Sequence, residues 1–167
     1  MVREIDSAGS PAATPTRRRV ITVLLAAFTL QACAPWPRDP ERTLDESTGG
    51  TLRVGASEAP PLLTRGDSGA AGPEAALVEA FARSIDARVE WRWGALDAHL
   101  EALERYELDL VAGGLSAGSP WKGRVAFTRP WRQQGETRHV LAVPPGENGM
   151  LVAVERVIES RKAGEAR

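Results

Sequence analysis

The 167-residue chain has one cysteine, Cys33, and two histidines, His99 and His139. A single thiol cannot close an internal disulfide, so burial has to supply the stability of whatever folds. Two isolated histidines form no ligand pattern with Cys or acidic neighbours, so neither a metal nor any other cofactor is expected. Excess charge is also missing: 21 Lys and Arg face 22 Asp and Glu, giving a formal charge of -1. That balance carries no footprint of a nucleic-acid partner or of an anionic surface. The apolar run Val20 to Leu30 is too short to cross a bilayer as a helix, and no internal repeat is present. Paired, positioned carboxylates of the sort acid–base catalysis needs are not evident either, so the chain is not expected to be an enzyme.

The first segment has a clear pattern. Arg17, Arg18 and Arg19 precede the apolar Val20 to Leu30, and small residues then lead to Cys33, as in a secretory signal peptide over residues 1–32. Leu30-Gln31-Ala32-Cys33 resembles a bacterial lipobox, in which Cys33 would be acylated and become the first mature residue. A lone exported cysteine could alternatively be a free or intermolecular thiol. With the lipid on Cys33, the protein is expected to be exported and held on the periplasmic or cell-surface face of a bacterial membrane. Residues 33–50 hold three prolines and many polar groups, a composition that suits a flexible tether.

From Thr51 onward the pattern becomes periodic. Thr51 to Gly55 reads as a strand that runs into a Gly/Pro/Ser-rich connection, and Pro73 opens a helix in which Leu77, Val78, Phe81 and Ile85 recur at helical spacing. Val89, Trp91 and Trp93 alternate with Arg88, Glu90 and Arg92, as on an edge strand with one wet face. Leu96, Leu100 and Leu103 mark a second helix, at whose exposed side His99 is expected, and Leu110 to Ala112 a buried strand. Val140 to Val143 is a further strand ahead of which His139 ends, and Asn148 caps a helix carrying Leu151, Val154, Val157 and Ile158. The sum is an α/β domain with a mostly parallel sheet of about four or five strands and helices on both faces.

In such open sheets ligands sit beyond the carboxyl ends of the strands. That rule selects the loops after Val54 and after Ala112, with Glu58, Pro60, Pro61 and the stretch Gly113 to Trp121. Gly113 and Gly114 allow close approach of the backbone, and Ser116 offers a hydroxyl. Glu58 could accept an ammonium group or simply be a solvated loop residue. Trp121 could stack on a ring or sugar face, or cover apolar surface.

Asp109 to Trp131, DLVAGGLSAGSPWKGRVAFTRPW, resembles the strand, binding turn and crossover of family 3 bacterial extracellular solute-binding proteins. The resemblance implies lobe one of a type II periplasmic-binding-protein fold, with its first part at 51–131 and its return strand and helix at 139–161. Family members close two lobes over an amino acid or another small polar solute and hand it to an ABC-type permease. Here only Arg132 to Arg138 occupies the interval where a second lobe usually stands; seven residues span at most about 25 Å, enough for a link and not for a lobe. Residues 162–167 are expected to be a disordered tail.

The resemblance carries the ligand-holding hydroxyl onto Ser116, beside main-chain N–H groups of the turn, but places Gly118 where a second Thr is usual, Trp121 where an Arg usually holds the solute's carboxylate, and Leu62 where an aromatic is usual. The missing Arg puts an α-amino-acid ligand in question, and a single open lobe, which leaves half of a solute in water, makes weak binding or none the expectation. A homodimer could rebuild the cleft. The alternatives are an envelope interaction or sensor module, an inactive remnant, and, as the remotest, an enzyme built on the same fold.

Overall fold

The computed structural model describes residues 39–66 and 69–165. Cys33, Trp36 and the signal-peptide segment lie outside the described residues. The sheet is built around β1 (Thr51–Ala56), which pairs in parallel with β4 (Arg88–Trp93) on one side and β5 (Leu110–Ala112) on the other. Beyond β5 come β9 (Ala142–Val143), antiparallel to it, and β6 (Ala126–Phe127), antiparallel to β9. The order β4-β1-β5-β9-β6 leaves four strands pointing one way and β9 alone reversed. β4 is an outer strand, so its exposed Arg88, Glu90 and Arg92 alternate with half-buried Val89, Trp91 and Trp93 for the reason the period of two predicts.

The two faces are covered by different helices. Leu52, Val54 and Ala56 of β1, with Leu110 and Ala112 of β5, pack against Leu77, Val78 and Phe81 of α2 (Pro73–Ser84) and against Met150, Val154 and Ile158 of α4 (Asn148–Glu165). Val111 and Ala142 turn to the opposite face and meet Leu100 and Leu103 of α3 (Leu96–Glu104). Gly55 belongs to that second face: a Cβ there would come within 2.8 Å of His99 and of Leu108. His99 is therefore half-buried over β1, with Nε2 3.2 Å from the Ala56 carbonyl, which corrects the expectation of a surface residue. Burial pulls its pKa below the ordinary value. At the other end of β1, Asp109 accepts the Arg53 N–H at 2.7 Å and pairs with its guanidinium, locking β1 and β5 in register.

Three segments differ from the expected plan. The later part of the tether holds a helix, α1 (Thr43–Ser47), with Thr43 and Ser47 buried. The Glu147 carboxylate accepts the N–H groups of Glu41 at 2.9 Å and Thr43 at 3.0 Å, so this segment is seated on the start of α4. The link at 132–138 is a hairpin of β7 (Arg132–Gln134) and β8 (Thr137–His139), turned at Gly135 and paired from Arg132↔His139 to Gln134↔Thr137. Helix α4 continues through Glu165, so the residues from 162 onward are helical rather than a tail as far as they are described. A further small pairing, β2 (Thr64–Gly66) with β3 (Gly69–Ala71), lies within the long connection before α2.

Candidate functional site

The loops that leave β1 and β5 are in direct contact. Ser57 donates its N–H to the Ala112 carbonyl at 3.0 Å and its hydroxyl to the Gly94 carbonyl at 2.9 Å. Gly113 (φ +148°) then passes so near Ser57 that a Cβ would fall 2.7 Å from the Ser57 Cβ, and Gly114 (φ +70°) passes equally near Ala59. Glycine is required at both places, because the backbone conformation and the neighbouring loop each exclude a side chain. Ala59 closes its own turn through bonds to and from Leu63 across the cis Pro60-Pro61 peptide, and Leu62 is buried beneath.

A residue the sequence reading passed over ties these parts together. Glu74, in the first turn of α2, is 0% exposed. Its backbone N–H bonds to the Leu62 carbonyl at 3.0 Å, and its Oε2 accepts the Gly114 N–H at 2.9 Å. Burial pushes the carboxyl up to about 7, against the opposing pull of the Gly114 and Gly113 amides. Among the described residues Oε1 has no hydrogen-bond partner. A signal was present: Glu74, Leu77, Val78 and Phe81 follow i, i+3, i+4, i+7, which places the acid on the buried stripe of its helix.

The predicted site residues separate into three places. Gly113 and Gly114 lie where the two loops meet and Pro61 is exposed in the cis turn between Ala59 and Leu63, but the Gly114 N–H is already bonded to Glu74 and is not offered outward. Ser116, half-exposed, lies opposite His139 in the strand that leaves the β7–β8 hairpin, where Ala117 bonds to Arg138 and Val140 to Leu115. Glu58 is exposed on the rim of a separate cleft of about 410 Å³, shared with Arg65, Trp93 and Gly94. Trp121 joins none of these. It is 9% exposed, donates its indole N–H to Asp97 at 2.8 Å, and carries the Arg124 guanidinium 4.1 Å from its ring centroid. Its faces are committed to packing on α3, so the stacking role gives way to the structural one. Among the described residues no group of three or more His, Cys, Asp or Glu could hold a metal ion.

No family model matches this sequence. A point variant of domain 1 from the arginine-binding protein TmArgBP, in its arginine-bound form, superposes with a TM-score of 0.66 at 23% identity, over 72% of this chain and 98% of that one. A single domain of a two-domain architecture is thus matched nearly end to end. The fold is that of one solute-binding-protein lobe. An ancestral cationic amino acid solute-binding protein gives a TM-score of 0.65 at 15% identity, covering 74% of this chain and 95% of that one. A probable histidine-binding protein of Campylobacter jejuni is 28% identical over 118 residues, 68% of this chain and 46% of that protein. The lobe therefore spans about half the length of that curated relative, and the resemblance to family 3 is carried by sequence as well as by fold.

Proposed function

We propose that this protein is a lipid-anchored, extracytoplasmic solute-binding lobe, held to the membrane through Cys33, which takes a small amino acid or amine at the carboxyl edge of β1 and β5 and serves an ABC-type permease. The observation that supports it most directly is the match to an isolated domain 1 of TmArgBP that is itself arginine-bound. Enclosure by two lobes is the usual arrangement for small ligands, yet a lobe alone can hold a solute. Here the β7–β8 hairpin closes the chain between β6 and β9 without a second lobe, and the loops bearing Ser116 and Glu58 stay open to solvent. The proteins matched are binding proteins, which supports a non-enzymatic role. Among the described residues no helix is long and apolar enough to cross a membrane.

An envelope interaction module is the second reading, favoured by the exposure of all of residues 132–138. Binding measurements on the full chain carrying Cys33→Ser separate the two. The solute-binding reading expects a saturable rise in melting temperature with L-arginine or L-histidine, reduced by Ser116→Ala. A melting temperature that no amino acid, polyamine or sugar moves would sink it in favour of the interaction or remnant readings.

A further inference from the structure

We infer that Arg65, Trp93 and Glu58 form the solute-orienting site of this lobe, with Arg65 supplying the guanidinium that the turn after β5 lacks. The inference rests on the solute-binding reading and specifies which atoms hold the solute. The need for it arises at Trp121, which stands in the family's Arg place and is packed on α3. Arg124 cannot substitute, because it covers the Trp121 ring and is bonded through Nε and a terminal nitrogen to Glu104.

Arg65 comes from a different direction. It lies on β2, opposite Ala70 of β3, and its guanidinium carbon stands 5.0 Å from the centroid of the Trp93 ring at the carboxyl end of β4. A guanidinium stacked on an indole is held in orientation without being neutralised, and its planar N–H fork still fits a carboxylate. Glu58 reaches the same cleft from the end of β1, and Gly94 lines it as well. Gly94 is fixed in place, since its N–H bonds to the Ala56 carbonyl and its own carbonyl accepts the Ser57 hydroxyl.

Glu58 and Arg65 line one cleft of about 410 Å³ and form no ion pair with each other among the described residues. Opposite charges set apart around an aromatic face suit a zwitterion: its carboxylate on Arg65, its ammonium on Glu58, and its methylene or ring portion against Trp93. The volume lies within the range of small-molecule sites. The ligand class is a free α-amino acid, held nearer the β4 edge than the turn after β5 would hold it.

Titration calorimetry of the full chain against paired ligands tests this, using L-arginine with agmatine and L-histidine with histamine, where each amine lacks only the carboxylate. Arg65→Ala is expected to weaken the amino acid about 10- to 100-fold, the loss typical of a charge-assisted hydrogen bond, and the matching amine by less than about threefold. Arg65→Gln keeps a stem over Trp93 and loses the charge, so it should reproduce the split even if Ala loosens the hairpin. Equal losses for acid and amine, or amino-acid affinity untouched by Arg65→Ala but lowered by Ser116→Ala, overturn the site while leaving solute binding in place. Failure of the unaltered lobe to bind either amino acid overturns both.

Discussion

Glu74 shows how one carboxyl can set the shape of the proposed binding edge. It reaches the Pro-Pro loop through its backbone and the glycine turn through its side chain, and it does so from a fully buried position. Its folded-state pKa of about 7 lies above the ordinary 4.5 because burial disfavours the charge. Between these values the folded protein keeps a proton that the unfolded chain has released, so the stabilising contribution is complete below pH 4.5 and is lost as pH rises through about 7. The total is on the order of 3 kcal/mol. Glu74→Gln keeps an oxygen for the Gly114 N–H and removes the titration. Urea unfolding at pH 5, 6, 7 and 8 should therefore show a shallower decline of stability in the variant than in the unaltered protein, and parallel declines would refute the assignment.

At the scale of elements, the pieces legible in the sequence were those whose apolar spacing is local. The stripe of Leu77, Val78 and Phe81 and that of Leu151, Val154 and Ile158 announce α2 and α4, and the alternation of Val89, Trp91 and Trp93 announces an edge strand. Gly113-Gly114 likewise marks the tight turn that leaves β5. The pieces that escaped depend on distant partners. TLDES has no apolar stripe and forms α1 because Glu147, more than a hundred residues away, caps its approach. His99 was misjudged because only the assembled sheet buries it, Glu74 was passed over although its helical spacing marks the buried stripe, and the two readings of Trp121 stayed open because its sequence position says nothing of Asp97.

The seating of α1 can be tested by itself. Burial works to raise Glu147, yet its neighbours Asp39, Glu41 and Thr43 together hold it below the usual carboxylate range, while burial and the nearby Glu147 carboxylate raise Asp39 to about 7. Glu147→Ala leaves two amides without their acceptor, which costs about 1–3 kcal/mol for each that stays buried. Thr43 is the buried one, so a loss near the lower end is expected, along with faster hydrogen exchange over residues 41–48 and unchanged exchange in β1. Unchanged exchange over 41–48 would mean that α1 is held by something other than Glu147.

For the whole molecule, the consequence of a hairpin in place of a lobe is an open edge. The proposed solute site is bounded by loops of β1, β4 and β5 on one side, and no second wall faces it among the described residues. Two copies related by a two-fold axis could face these edges to each other, each supplying the missing wall. A stable pair of this kind must bury about 1,000 Å² or more, and the proposed lipid anchoring of both copies on one membrane would raise their effective concentration well above that in solution. Linkage then makes assembly solute-dependent: a ligand bound more tightly by the pair than by the single lobe shifts the equilibrium toward the pair. Light scattering on the unanchored Cys33→Ser chain should accordingly show mass rising toward two copies as protein concentration increases, and at lower concentration when saturating L-arginine or L-histidine is present. A molecular mass that stays at one copy throughout, with solute bound, would show that the single open lobe is the working unit, and that Arg65, Trp93 and Glu58 must hold the solute without help from a second copy.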